Sequence, residues 1–211
     1  MPIDLTRWEP PDEGALFVVT GSSGTGKTTL VREALARIPR LVFSVSATTR
    51  APREGEAPGV DYTFVSEERF AELVAEDAFL EHAVVYGNRY GTLREPVVRA
   101  VAAGTSVLLD IDVQGAAQVR DRWPGAVTIF VLPPSLRVLA DRLRSRGTDP
   151  PEVVERRIRE AHVQVESCDA FDYLLLNDHL EAASDQLQAI LVAELLARSR
   201  RSSWVRRFTR A

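Results

Sequence analysis

Hydrophobic residues along this chain follow two rhythms. Short apolar runs occur at Ala15–Thr20 (ALFVVT), Ser106–Ile111 (SVLLDI), Val127–Leu132 (VTIFVL) and Tyr173–Leu176 (YLLL), with no polar alternation. A strand covered on both faces reads this way, so the runs predict buried parallel strands. Between them, apolar positions recur at helical spacing. Thr28–Arg37 carries Leu30, Val31, Ala34 and Leu35. Comparable patterns span Val113–Arg122, Ser135–Ser145, Glu152–Ala170 and about Leu180–Ala197, the last with Ala183, Leu187, Ile190, Leu191 and Leu195 on one face. Strands alternating with helices predict an α/β fold, a parallel sheet with helices on both faces.

Two stretches break the rhythm. Residues 44–92 are more polar, hold a Gly/Pro-rich loop at Gly55–Gly59, and carry short strand-like pieces at Tyr62–Val65 and Val84–Tyr86. They predict a small mixed α+β lobe inserted into the core. Residues 144–160 gather Arg144, Arg146, Arg156, Arg157 and Arg159 around Gly147–Glu152. There Asp149 can cap a helix starting at Pro150, with Glu152 reaching back, which predicts an arginine-rich helical lid.

Composition narrows the class. A chain of 211 residues makes one domain with insertions, and 45% hydrophobic and 27% charged residues are ordinary for a soluble globular protein. A net charge of −4 gives no general pull towards nucleic acid or membrane, so neither is expected as a partner. The single cysteine, Cys168, excludes an internal disulfide and a multi-cysteine zinc site. Met1–Gly14 has no apolar signal core and reads as a loose arm, and no run approaches the ~18 apolar residues of a membrane span. The expectation is a cytoplasmic protein, monomeric or homodimeric.

The 26 basic residues include one lysine, Lys27. It lies in Gly21-Ser22-Ser23-Gly24-Thr25-Gly26-Lys27-Thr28, which fits the phosphate-binding loop G-x-x-x-x-G-K-[ST] in the required strand–loop–helix context. Glycines let the loop N–H groups converge on phosphate oxygens, and the following helix adds its positive end. Lysine is a compact charge where arginine is a broad fork. Lys27 is therefore expected on the β- and γ-phosphates of a nucleoside triphosphate, and the Thr28 hydroxyl on Mg²⁺. Asp110 ends an apolar strand, where it can hold Mg²⁺ through water. Asp112, two residues on, either shares that face or caps the Val113 helix. Arg50 and Arg53, with Tyr62 nearby, suit a phosphate monoester. Glu81, in an apolar stretch, is either a partly exposed glutamate or an acceptor for two N–H donors on one base edge. Tyr86–Thr92 reads alone as a tight turn.

Taken together, GSSGTGKTTL, FSVSATTRAPREGE, GVDYTFV, FLEHAVVYGNRYGT, LLDIDVQG, PPSLRVLADRLRSRGTD and LLLNDHLEAA resemble the guanylate kinase family, in family order from about Phe17 to Ala183. The resemblance implies a P-loop core at 15–43 and 93–197 with its lid about 144–160, a GMP-binding lobe at 44–92, an N-terminal arm at 1–14 and a basic tail at 198–211. It implies Mg²⁺-dependent phosphoryl transfer from ATP to GMP, and more weakly to dGMP. Ser46 and Thr92 would face guanine O6, and Glu81 would accept from N1–H and the 2-amino group. Arg50, Arg53, Tyr62 and Tyr90 would hold the GMP phosphate, with Asp112 close by. Arg142, Arg146 and Arg157 would reach the transferring phosphoryl group, and Asn177 would lie near the ATP base.

Three features depart from the pattern. Thr92 stands where some relatives have serine, His82 where tryptophan is common, and Arg198–Ala211 has no counterpart. The rival readings are a ribose-bisphosphate type of small-molecule kinase and a non-catalytic phosphopeptide-binding module. The guanine set and the intact P-loop argue against them. The tail carries Arg198, Arg200, Arg201, Arg206, Arg207 and Arg210 and no acid, interspersed with Trp204, Val205 and Phe208. It reads either as a frayed, solvated terminus or as a contact for a polyanion or membrane surface.

Overall fold

The computed structural model describes residues 5, 8–85, 87–145 and 150–210. In chain order its elements are β1 (Leu16–Thr20), α1 (Lys27–Arg37), β2 (Leu41–Phe43), β3 (Ala47–Thr48), β4 (Thr63–Phe64), α2 (Glu67–Ala75), β5 (Phe79–Val85), β6 (Asn88–Leu93) and α3 (Arg94–Ala102). There follow β7 (Ser106–Asp110), α4 (Val113–Arg122), β8 (Val127–Leu132), α5 (Leu136–Ser145), α6 (Pro151–Val165), β9 (Tyr173–Leu176), α7 (Leu180–Leu195) and α8 (Ser202–Arg210).

Five parallel strands form the core sheet in the order β2-β7-β1-β8-β9. The four predicted strands are present, and β2 adds an edge that the apolar pattern does not announce. Central β1 is buried at every position, and its residues alternate between two cores. Phe17 and Val19 pack with Leu30, Val31 and Ala34 of α1 and Leu187 and Leu191 of α7. Leu16 and Val18 pack with Val97 and Val101 of α3 and Ala116 and Val119 of α4. Both faces being covered is why the strand sequence is apolar throughout. The chain runs from β1 to one side and later returns to the other, so the strand order switches at β1–β7. In such sheets ligands bind at the carboxyl ends of the strands beside that switch.

Residues 44–92 build a second sheet, β4-β3-β6-β5, closed by α2 over a small core of Ala47, Phe70 and Phe79. Ser66 caps α2 by accepting from the Arg69 N–H. The predicted mixed lobe is thus a four-stranded sheet and one helix, with β6 ending at Leu93. The arginine-rich hairpin is α5 and α6, joined through Leu139, Leu143, Val154 and Ala161. Its second helix begins at Pro151, with Pro150 at the N-cap and no side-chain cap. Proline at the first helical position needs no N–H partner, which replaces the predicted capping box. Asp149 itself lies outside the described residues.

The described part of the predicted loose arm is packed. The Asp12 N–H donates to the Arg200 carbonyl and the Gly14 N–H to that of Val101. The predicted last helix is also shorter, ending at Leu195, and the chain turns into α8.

Candidate active site

The phosphate loop follows β1 directly. At Gly26, the N-cap of α1, φ is 92°, and a Cβ there would collide with the Asn177 amide. Only glycine meets both conditions without strain. That Asn177 amide is buried and donates to the Thr25 carbonyl at 2.7 Å. Asn177, the residue the resemblance places near the ATP base, thus braces the loop from below through its side-chain N–H. Arg142, expected at the transferring phosphoryl group, donates to the Asn177 carbonyl at 3.1 Å.

Ser22, Ser23, Gly24, Gly26, Lys27 and Thr28 line a cavity of about 250 Å³. Lys27 Nζ donates to the Gly21 carbonyl and lies 3.9 Å from an Asp110 oxygen. The lid helix reaches the same loop. Arg157 donates to the Ser23 hydroxyl at 3.2 Å, and the Ser22 hydroxyl donates to Gln164 Oε1 at 2.8 Å. Arg157, Ala161 and Gln164 fall on one stripe of α6 at i, i+4 and i+7. Gln164 escaped the sequence reading, and that stripe is the signal that could have found it. Arg146 lies outside the described residues.

A second cavity, about 380 Å³, opens between the core and the lobe, and its walls include Phe43, Ser46, Tyr62, Glu81, Tyr90, Asp110 and Asp112. Five of the predicted GMP residues therefore share one space: Ser46, Tyr62, Glu81, Tyr90 and Asp112. Glu81 is only 6% exposed and accepts from the buried Thr92 hydroxyl at 2.7 Å. Burial raises the Glu81 pKa above its ordinary value, and the nearby charge of Asp112 adds to this, while the Thr92 hydrogen bond opposes it. Both readings of Asp112 hold, because it lines the cavity and also caps α4 by accepting from the Gly115 N–H at 2.8 Å.

Arg50 and Arg53 are not among those walls. Arg50 pairs with Glu56 at 2.7 Å and lies 5.2 Å from the centre of the Tyr62 ring. The Arg53 N–H donates to the other Glu56 oxygen at 2.7 Å, so one carboxylate gathers both arginine positions beside the Tyr62 wall. Glu56 is a second residue that the sequence did not single out. Gln118 is a third. Its side-chain amide exchanges two hydrogen bonds of 3.1 Å with the backbone of His82, pinning β5 next to Glu81. His82 keeps an aromatic ring against Phe70 and Phe79 where tryptophan is common. Desolvation, then Arg122 and Arg89, lower its pKa.

The two cavities meet at the Lys27–Asp110 pair, since Lys27 lines one and Asp110 the other. Thr28 and Asp110 are hard oxygen donors of the type Mg²⁺ prefers, and burial raises the Asp110 pKa while Lys27 opposes it. Among the described residues no three His, Cys, Asp or Glu side chains converge as a metal cage. Mg²⁺ does not need one, because it keeps several waters and is usually held by one or two protein oxygens plus substrate phosphates.

Residues 13–194 match the family model described as Guanylate kinase. A guanylate kinase of Neisseria meningitidis is 53% identical over 193 residues, covering 92% of this chain and 94% of the relative. One from Carboxydothermus hydrogenoformans is 48% identical, covering 87% and 90%. The crystal structure of guanylate kinase from Anaplasma phagocytophilum superposes with a TM-score of 0.68 at 34% identity, covering 90% of this chain and 91% of that one. A P-loop at the sheet's switch point, an inserted lobe with a buried glutamate, and relatives spanning nearly the full length all agree, and the chain belongs to the guanylate kinase family.

Proposed function

We propose that this protein catalyses ATP + GMP → ADP + GDP, with the P-loop cavity taking the ATP phosphates and the lobe cavity taking GMP. The observation that carries the reading is Glu81. A buried carboxylate, oriented by Thr92 and facing a cavity, costs stability unless something there donates to it. The N1–H and 2-amino groups of guanine are two such donors on one edge. Adenine offers neither and would leave the carboxylate unpaired, a basis for strong discrimination. The Ser46 hydroxyl, on the same cavity wall, suits guanine O6, whereas Thr92 can donate to O6 only by turning its single proton away from Glu81.

Phosphoryl transfer needs in-line placement and charge neutralisation rather than a covalent protein intermediate. An oxygen of the GMP phosphate forms the new bond to the γ-phosphorus, and the bond to the bridging oxygen of ADP breaks. Tyr62, Tyr90, Arg50 and Arg53 hold the acceptor phosphate in this assignment. Lys27 and the lid arginines Arg142, Arg146 and Arg157 stabilise the spreading charge. Mg²⁺, held by Thr28 directly and by Asp110 through water, would neutralise the β- and γ-oxygens. The ribose-bisphosphate kinase and phosphopeptide readings are disfavoured by Glu81 and by the intact phosphate loop.

ADP release measured with each nucleoside monophosphate in turn tests the reading. GMP is expected far ahead of AMP, CMP and UMP, with dGMP weaker than GMP. Equal rates with AMP would overturn the role given to Glu81.

A further inference from the structure

Helix α8 is amphipathic, and two residues of its apolar side, Val205 and Phe208, face away from the protein. Trp204, Val205 and Phe208 share one arc of the helix at i, i+1 and i+4, while Arg206 and Arg207 lie off that arc. The body grips the helix by its polar side. Asp12 accepts from the Ser203 N–H at 2.6 Å and also from the Ser203 hydroxyl, and Arg207 pairs with Glu9 at 3.5 Å. Arg201, just before the helix, is buried between the rings of Trp8 and Trp204, 4.9 and 4.1 Å from their centres. It donates to the carbonyls of Leu195 and Glu9 at 3.0 and 3.1 Å. The helix is thus fixed in place, yet Phe208 is 86% exposed and Val205 56%.

Scattered exposed apolar residues are normal, but Trp204 covers Arg201 while its arc neighbours Val205 and Phe208, on an ordered helix, turn outward with no described residue packed over them. The charge of the segment identifies what covers it. The last 14 residues hold six arginines and no acid, in a chain whose net charge is −4. A second copy of the chain would bring the same arginines to the contact. Three side chains also fall far short of the ~800 Å² per partner of a stable interface. A nucleic acid would satisfy the arginines and leave Val205 and Phe208 without a role. An anionic bilayer accepts both sets: Val205 and Phe208 enter the boundary between headgroups and acyl chains, and the exposed Arg198, Arg206 and Arg207 meet the lipid phosphates.

We propose that α8 docks this kinase reversibly, lying in the plane of the interface, on an anionic lipid surface. This departs from the expectation of no membrane partner, which rests on the charge of the whole chain rather than of one segment. No helix among the described residues is long and apolar enough to cross a membrane, so the contact is peripheral. It also leaves the reaction free. Arg200 donates to the Gly14 carbonyl just before β1, whereas the phosphate loop follows the other end of that strand, ~17 Å along it.

The test is sedimentation of the full chain with vesicles of phosphatidylglycerol in phosphatidylcholine, against phosphatidylcholine alone. The variants are Phe208→Ser and the double variant Val205→Ser/Phe208→Ser. Both sites are exposed and remote from the nucleotide cavities, so GMP phosphorylation and thermal melting should be unchanged. Binding is expected to the anionic vesicles only, to weaken with salt, and to fall about tenfold or more in the double variant. Absence of binding, equal binding to neutral vesicles, or equal binding by the double variant would overturn the proposal. So would RNA binding that displaces the vesicles and ignores the two serines, or a solution dimer that they dissolve.

Discussion

The phosphate loop and the guanine pocket meet at Lys27 and Asp110, 3.9 Å apart, but they are held by different means. The loop leaves a central strand that is buried at every position, and it is braced by Asn177 after β9 and by Arg157 and Gln164 on one stripe of α6. In the proposed reading its ligand contacts are backbone N–H groups plus Lys27 and Thr28, and backbone groups are indifferent to most substitutions. The guanine pocket rests on a small sheet that includes two strands of two residues each, over a core of Ala47, Phe70 and Phe79. Its proposed ligand contacts are side chains. In that reading the first half recognises phosphate chemistry common to many substrates, and the second selects one base. The two functions should therefore separate under mutation.

The largest effect is expected at Lys27→Arg, which keeps the charge and changes only its shape. Turnover should fall by about 10²–10³-fold, since the fork cannot follow the γ-phosphate in the space the lysine occupies. The GMP KM should barely move, and near-normal turnover would show that the loop tolerates either cation. In the other half, Glu81→Gln should raise the GMP KM by about 10²-fold, because two charge-assisted hydrogen bonds are weakened or reversed. The ATP KM should stay within about twofold. A comparable rise in the ATP KM would break the separation of the halves.

That contrast explains what could be read from the chain. A backbone device leaves a local trace: Gly21, Gly24, Gly26 and Lys27 are close in sequence, and so the loop was legible at once. The pocket joins Ser46, Glu81, Thr92 and Asp112, which only a fold brings together, and Glu81 alone reads equally well as a partly exposed glutamate. Family resemblance supplied that role. The supports Gln118 and Gln164 act on segments dozens of residues away, and only Gln164, on the stripe of Arg157, leaves a local trace. β2 went unread because it is only three residues long and half open to solvent at Val42 and Phe43. The packing of the N-terminal segment against the tail leaves no local trace either, because neither Trp8 nor Arg201 signals alone that the two meet.

A pH series sharpens the comparison. Burial lifts the Glu81 pKa above 4.5, so the folded protein holds this proton to higher pH than the unfolded chain does. Its contribution to stability is complete below the ordinary value and is lost as pH rises through the raised one. Guanine needs the ionised form. The GMP KM should therefore climb as pH falls towards that raised pKa, and Glu81→Gln should flatten that curve while leaving unchanged whatever pH trend Asp110, also raised by burial, gives the ATP KM. The smallest effects are expected at the two glutamines. Gln164→Ala should raise the ATP KM about three- to tenfold, and Gln118→Ala should do the same for GMP alone. If either amide altered both constants equally, the halves would be more tightly coupled than their supports indicate.

The most direct test is kcat/KM for GMP against AMP, measured for the native chain and for Glu81→Gln under one set of conditions. A pocket that depends on hydrogen bonds to a buried carboxylate predicts a GMP preference of about 10⁴ or more, collapsing in the variant because AMP gains and GMP loses. A native preference below about tenfold, or one that survives the loss of the Glu81 charge, would contradict the assignment of base selection to Glu81.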